Sequence, residues 1–594
     1  MAPPPPATFK NKEPVKAAVA GTADLPTFAL RVVTALEQEG ARSPADAHRI
    51  KQRLAGEAGL GAVPSNADLL AALPDDVAAR QPLLRKKPAR SLSGVAVVAV
   101  MSSPAGCPHG KCVYCPGGPE ADAPQSYTGF EPSTMRAKRL DYDPYRVVRT
   151  RLGRLAANGH SIDKVELIVQ GGTFPARDPA YQDWSIAMLY AACNDGPSVD
   201  DPGGLEEEAA WAVLPEGERR ERLARFRDLN EGARCRVVGL TVETKPDWCL
   251  GPHLDRMLEH GTTRIELGLQ CLDDEVLRLT HRGHTLQDAR DAMRLARDAG
   301  FKVCVHMMPG LPRRRLEDGT YATDAGEDTT DLRRLFEEED WRPDMLKVYP
   351  TLVVREGETP LKRWWREGRY TPFPTEAAAD VLVAAKPHVP VWCRIQRIDR
   401  DIPTTHVEAG VMHSNLRQIV QARMAKDGTS CVCIRCREPG TRSRDGVAPA
   451  ADRLALLRRD YRASGGYEAF LSLEDPEADV LVAFLRLRRV GSVSRPEFRD
   501  PAGAAVVREL KVYGIAQPLG RHEEPAAGAW QHRGLGTRLL AEAERIAFRE
   551  WGVGRLLVIA GVGVKAYYRR HGFAELGPYV AKAAPSAHGP GENA

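Results

Sequence analysis

Six short runs rich in β-branched residues, at 94–102, 165–170, 237–243, 264–270, 303–308 and 346–354, alternate with longer amphipathic stretches. Strands separated by helix-length segments form parallel βα units, and this succession predicts an α/β fold built on a partial or full (β/α) barrel. In such barrels the chemistry sits on loops at the C-terminal ends of the strands. Every motif in the span is therefore read by its place relative to a strand end.

The loop after the first run carries Cys107-Pro-His-Gly-Lys-Cys112-Val-Tyr-Cys115. Three thiolates can ligate three irons of a four-iron, four-sulfur cluster and leave the fourth iron open to another ligand. In a radical enzyme the open iron chelates S-adenosylmethionine (SAM) and a deoxyadenosyl radical is released. A zinc loop with His109 as fourth ligand is the plainer reading, but a position after the first strand of a barrel favours iron–sulfur. Gly171 and Gly172 follow the second run and let backbone groups approach the methionine part of SAM; alone, they make an ordinary tight turn. Of the 12 cysteines, six fall in two tight clusters and the rest are scattered singly. That pattern fits reduced thiols and metal sites better than disulfides. The second cluster, Cys431, Cys433 and Cys436, suits zinc with His413 as the fourth ligand; a second iron–sulfur cluster and three unligated core thiols are the alternatives.

At 594 residues the chain is too long for one hydrophobic core. Four regions are expected: an N-terminal arm and small helical domain over 1–84, the barrel over 85–400, a linker with the zinc site over 401–450, and a C-terminal α+β domain over 451–594. Helical patterns cover 26–39 and 44–56, and the first region ends in the basic Arg85, Lys86, Lys87 and Arg90. That stretch reads as a solvated linker or as a phosphate contact. In the last region 468–474, 480–488 and 506–513 alternate like antiparallel strands, 534–549 has helical spacing and 555–560 returns to strand. Gln531-His-Arg533-Gly534-Leu535-Gly536-Thr537 opens that helix, where free N–H groups and the helix dipole suit the pyrophosphate of acetyl-CoA.

This order of strand, glycine loop, helix and strand resembles the GCN5-related acetyltransferase motif. Glu509, Leu510, Lys511 and Val512 then line the acyl and pantetheine arm, with Tyr567 and Tyr568 near the thioester. The Tyr568 hydroxyl is the expected general acid for thiolate departure; otherwise both tyrosines are packing aromatics. The formal net charge of 83 − 79 = +4 decides nothing about nucleic acid. Apolar runs fall far short of the ~20 residues needed to span a bilayer, and no signal core is seen, so a cytoplasmic protein with no membrane partner is expected.

With both motifs placed, the chain resembles the catalytic subunit of Elongator in the single-chain form found outside eukaryotes. The likeness covers about residues 85–580 and is carried by 107–118, 125–136 (QSYTGFEPSTMR), 239–247 (GLTVETKPD), 264–271 with 282–285, 306–312, 347–354 and 508–573. It implies a radical SAM enzyme that makes 5-carboxymethyluridine at the wobble position of tRNA from acetyl-CoA, with electrons from a separate donor. A radical formed at the acetyl methyl group would add to C5 of uracil before water cleaves the thioester. It also implies that region 1–84 binds tRNA and that Lys164 contacts acetyl-CoA at the radical site, although a lysine before a strand is ordinarily solvated. Lys511 departs from the histidine common in relatives. With tRNA in view, Arg85, Lys86, Lys87, Arg90, Arg394, Arg397, Arg400 and the Arg435/Arg437 pair become candidates for a phosphate path, and the target base is extruded into the barrel. A protein lysine acetyltransferase with a structural iron–sulfur domain and a tRNA-binding subunit with decayed chemistry are the rivals. A homodimer is left open.

Overall fold

The computed structural model describes residues 24–585 except 42, 75–76, 78–80, 86–93, 199–200, 493–494, 515–529 and 532. The expected N-terminal arm, Lys86, Lys87, Arg90 and the histidine of the glycine loop lie outside the described residues. Residues 1–88 with 154–160 form one compact unit, and the remainder forms a second.

In the first unit, helices Leu25–Gln38 and Pro44–Glu57 match the expected helical patterns to within a residue or two, and Asn66–Ala72 is a third. Ser43 and Ser65 cap the second and third through reciprocal bonds with Asp46 and Asp68. Phe28, Val32, Leu36, Ile50, Leu54 and Leu69 form the core.

The second unit holds two seven-stranded sheets. The first contains the parallel strands β1 (Ala96–Met101), β2 (Lys164–Gln170), β3 (Arg236–Thr244), β4 (Arg264–Gln270) and β5 (Lys302–Met307). After a hairpin of β6 (Arg314–Arg315) and β7 (Tyr321–Ala322), it resumes with β8 (Met345–Val348) and ends with β10 (Arg394–Arg397). The strand order is β1-β2-β3-β4-β5-β8-β10, so β1 and β10 are open edges and the barrel is a partial one. The sixth expected run breaks at Tyr349-Pro350, leaving β9 (Val353–Val354) to pair with β11 (Val407–Ala409). Proline cannot donate to a ladder, which accounts for the break.

The second sheet contains β12 (Ala455–Ala463), β13 (Gly466–Asp475), β14 (Val480–Arg489), β15 (Ala504–Val512), β16 (Arg555–Val558), β17 (Ala574–Leu576) and β18 (Tyr579–Ala583). Helix Leu535–Arg545 packs on it through Leu539, Leu540 and Ala543. β15 pairs along β14 as far as Val512, but its parallel pairing with β16 ends at Val507↔Val558. From Arg508 onward β15 and β16 diverge, and a slot opens between them.

The second sheet meets the strand starts of the first through buried charge. The Asp344 carboxylate accepts bonds of 2.6 and 2.7 Å from Arg508, with Arg486 at 3.6 Å and Arg297 at 3.8 Å. Glu468 accepts from Arg508 at 2.9 Å, Arg488 at 3.1 Å and Arg297 at 3.2 Å, and Arg488 also reaches Asp298 at 2.6 Å. Burial alone would raise the Asp344 carboxyl, but Arg508, Arg297 and Arg486 hold it far below the ordinary range.

Among the described residues no helix is long and apolar enough to cross a membrane. Breaking a buried ion pair by removing one partner costs about 3–5 kcal/mol, while an exposed pair contributes about 1 kcal/mol or less. Arg508→Met is therefore expected to lower stability to urea by about 3–5 kcal/mol. Arg31→Met, at a pair with 53% and 40% exposed side chains, should change it by about 1 kcal/mol at most. Equal effects of the two substitutions would show that the buried cluster adds no cohesion.

Candidate active site

β1 delivers the first cysteine loop to the C-terminal end of the half-barrel. A turn with Gly110 N–H donating to the Cys107 carbonyl at 3.0 Å, and a second with Cys115 N–H donating to Cys112 at 3.0 Å, fold the three thiols toward one another. The loop that follows the cysteines and the segment after β2 supply their surroundings. The Cys107 amide donates to Gln125 Oε1 at 2.7 Å, its sulfur lies 3.6 Å from Thr173 Oγ1, and the Ser126 amide donates to Cys115 Sγ at 3.1 Å. Arg282, buried, donates to the Gly268 carbonyl at 2.8 Å and points Nη1 at Cys112 Sγ, 3.7 Å away.

Burial pushes the Cys115 thiol up to about 12, with the neighbouring Cys112 adding to the shift. Burial likewise pushes His109 down to about 4, aided by Lys245 and Arg282. His109 is thus neutral near pH 7, with Nε2 3.3 Å from Cys112 Sγ. The donor set fits an iron–sulfur cluster. Cys107 and Cys115, whose burial makes them resist ionisation alone, lie with Cys112 beside the buried cations Lys245 and Arg282, and two buried nitrogens, Arg282 Nε and His109 Nδ1, lack a partner among the described residues. Inorganic sulfide is the acceptor such donors can serve.

Gly171 (φ +129°) and Gly172 (φ +86°) sit in backbone conformations that side chains rarely adopt. A Cβ on Gly172 would stand 3.5 Å from Cys107 Sγ, so the glycine pair lies against the thiol loop. Lys164 does not. It begins β2, roughly 20 Å from Gly171 at ~3.3 Å per residue, and its Nζ donates to Gln531 Oε1 at 2.5 Å. The structure therefore places Lys164 against Gln531 of the C-terminal glycine loop, one strand length from the thiols.

Between these ends, one face of the half-barrel is charged. Lys164 and Glu166 on β2, Glu243 on β3, Arg264 and Glu266 on β4, Lys302 and His306 on β5 and Lys347 on β8 alternate with apolar residues that pack on the other face. Glu266 takes Lys347, and His306 Nε2 at 3.2 Å; Glu243 takes Tyr127 Oη at 2.6 Å and Gln170 Nε2 at 3.1 Å. Burial lowers Lys302 to about 8, against the pull of Glu509. This face was missed from sequence, although the alternation is visible in KVELIVQ, RIELGLQ and KVCVHM.

At the other end, Gly534 (φ +74°) caps the eleven-residue helix Leu535–Arg545. A Cβ on Gly536 would lie 3.1 Å from Tyr567 Oη and 3.8 Å from Leu510, so the glycine loop, β15 and Tyr567 converge at the slot. Arg533 and Thr537 are exposed at its rim, while Glu509, Lys511 and Val512 continue along β15. Tyr568 is buried, packed on Tyr567 and Phe573, and its burial pushes the phenol up.

Cys431, Cys433 and Cys436 hold their sulfurs within 4.8 Å of one another. His413 is not part of this group: it is exposed, with Nδ1 3.0 Å from Thr375 Oγ1. The expected phosphate path also looks different in three dimensions. Arg394 and Arg435 both bind Glu438, at 2.9 and 2.5 Å; Arg437 binds Glu474 and Asp479; Arg397 binds Asp401. Arg400 donates to the Ser126 carbonyl at 2.7 Å, which braces the cysteine loop, and Arg85 is half-buried.

The chain matches the Radical SAM superfamily over residues 101–320 and the Radical_SAM C-terminal domain over residues 343–426. It is 43% identical over 524 residues to a tRNA uridine(34) acetyltransferase of Methanocaldococcus jannaschii, covering 87% of this chain and 90% of that protein. Elongator complex protein 3 of Danio rerio is 42% identical over 546 residues, covering 90% and 92%. The solved structure of archaeal Methanocaldococcus infernus Elp3 with residues 1–46 deleted is similar at a TM-score of 0.68 and 38% identity, covering 83% of this chain and 99% of that one.

Groups that orient metal ligands typically change metal affinity about 10–100-fold when removed. Arg282→Met is expected to weaken iron retention by about that factor, read as iron and sulfide per chain after anaerobic reconstitution. Retention equal to the parent's would show that the guanidinium does not act on the thiols.

Proposed function

The chain belongs to the family of tRNA uridine(34) acetyltransferases and Elongator complex protein 3, and on that premise we propose that it converts the wobble uridine of tRNA anticodons to 5-carboxymethyluridine with acetyl-CoA. The observation that carries this reading is the bond from Lys164 to Gln531. It ties the acetyl-CoA loop to the first residue of the strand whose far end bears Gly171 and Gly172. The charged face between them gives the two sites a shared polar interior.

Cys107, Cys112 and Cys115 would hold the cluster, and Gly171 and Gly172 the methionine end of SAM. When bound, these cofactors would supply hydrogen-atom abstraction from the acetyl methyl group; joining its carbon to C5 of uracil would expel the C5 hydrogen as a proton and return one electron to the cluster, before water cleaves the thioester. The remaining work belongs to the chain. Gly534, Gly536 and the helix start receive the pyrophosphate, and residues 509–512 flank the acyl and pantetheine arm. Tyr567 faces the glycine loop, and Tyr568, kept protonated, is the proton source for the departing thiolate. The helical region over 1–84 contributes tRNA contacts, a separate donor supplies electrons, and the reaction takes place in the cytoplasm.

A protein lysine acetyltransferase needs a free base at the slot. Glu509, the carboxylate of residues 509–512, is bound to Arg486 at 2.9 Å and so is not free for that task. Zinc suits Cys431, Cys433 and Cys436: the Cys433–Cys436 sulfur separation is 3.7 Å, and Zn–S bonds of about 2.3 Å in a tetrahedron place sulfurs roughly 3.8 Å apart.

The test is acetyl-CoA hydrolysis with and without a tRNA bearing a wobble uridine, followed by anaerobic analysis of the nucleoside. Stimulation by tRNA is expected, with Cys112→Ala retaining it but forming no carboxymethyl product. General acid catalysis is worth about 100-fold or more, so Tyr568→Phe should slow hydrolysis by at least that factor. Acetylation of a peptide lysine with no effect of tRNA would put the acetyltransferase in its place. Elemental analysis should find zinc in the parent and none in Cys433→Ser; zinc retained by the variant would exclude the second thiol group as its site.

A further inference from the structure

One segment, Gln125-Ser-Tyr-Thr-Gly-Phe-Glu-Pro, has its first half in the cysteine loop's surroundings and its second half outside them. Gln125 and Ser126 bond to Cys107 and Cys115, and Tyr127 to Glu243. Four residues beyond Ser126, Phe130 is 38% exposed. Single exposed apolar side chains are common on proteins, but this one is held in place. The buried Glu131 carboxylate accepts from Thr128 N–H at 2.8 Å, Thr128 Oγ1 at 3.0 Å, Gly129 N–H at 3.2 Å and Thr134 Oγ1 at 3.0 Å. Gly129 takes a φ of +93°, and the Phe130 amide donates to Thr128 Oγ1 at 3.2 Å. The loop is a small rigid clamp that presents an aromatic ring.

One face of that ring is covered. His406 stacks on Phe130 with centroids 4.0 Å apart and planes 23° from parallel, and Glu356 holds the imidazole through Nδ1. Arg355 donates its backbone N–H to the His406 carbonyl at 3.0 Å, and its exposed side chain has no acidic partner among the described residues. A fixed aromatic ring on the same loop as the thiol contacts, backed by the His406 imidazole and with the exposed Arg355 on the adjoining segment, has the chemistry of a nucleobase platform with a phosphate contact next to it.

We infer that Phe130, backed by His406, stacks the base adjoining the target uridine in the anticodon loop, with Arg355 on the neighbouring phosphate. This rests on the tRNA reading above and adds to it the group that holds the loop open while the uridine enters the half-barrel. Extruding one base unstacks its neighbour, and an aromatic face offsets that loss without reading sequence.

The experiment is a double-mutant cycle on the full-length protein. Binding of an anticodon stem-loop is measured for the parent, Phe130→Ala and Phe130→Trp, each with an intact loop and with loops abasic on one or other side of the wobble uridine. Stacking on an aromatic corresponds to about 5–150-fold in affinity per base, so Phe130→Ala should weaken the intact loop by that factor and Phe130→Trp should restore it. For one of the abasic loops the parent should lose the same factor and Phe130→Ala nothing more. Independent, additive losses for both abasic loops would overturn the platform, as would tight binding by Phe130→Ala. If the parent still carboxymethylates the loop in those cases, the reading of the reaction stands without the platform. If the parent neither binds nor modifies the loop, both fall.

Discussion

Two carboxylates shared among four buried arginines hold the two sheets as one body. Asp344 and Glu468 bring together Arg297 from the helix before β5, Arg486 and Arg488 from β14, and Arg508 from β15. Ions removed from water are tolerated only when each finds its partners, so the cluster is all-or-none. It fixes β15 beneath the strand starts of the half-barrel. From that follow the position of Gln531 beside Lys164 and the approach of Glu509 to the charge of Lys302. The opposite strand ends stay clear for the cysteine loop.

The half-barrel's two faces divide the labour. Apolar residues on one face pack under the helices, as in any parallel sheet, while the other face carries charges that neutralise one another along the strands. Glu266 bonded to Lys347 and His306, and Glu166 bonded to Arg264, keep the interior polar without leaving a net charge exposed at its centre. Such an interior suits a substrate that is polar but must be kept from bulk water during radical chemistry.

The strands, the cysteine loop and the glycine loops were legible because each follows from local rules: apolar runs, ligand spacing, and backbone that only glycine accepts. β10 was not, since Arg394-Ile-Gln-Arg397 is short and charged and reads as a basic surface segment. The carboxylate pairing of Arg394, Arg435 and Arg437 was equally hidden. Their acidic partners are residues such as Glu438 and Glu474, and nothing in a one-dimensional pattern tells a guanidinium from its counter-ion across a fold. The contact of Lys164 with Gln531, 367 residues further along the chain, has no signature in a local pattern. His413, near the thiols only in sequence, faces Thr375 instead.

The divergence of β15 from β16 after Val507 leaves a row of main-chain groups facing the slot. A guest that inserts there as a surrogate strand is gripped through amides common to every residue type, so its grip is indifferent to side-chain identity. Substitution at Glu509 or Lys511, whose charges act on Lys302 and Glu166 of the half-barrel, can then retune the neighbouring barrel wall while those main-chain groups stay in place. The fold thus uncouples the evolution of its interior from the evolution of its handhold.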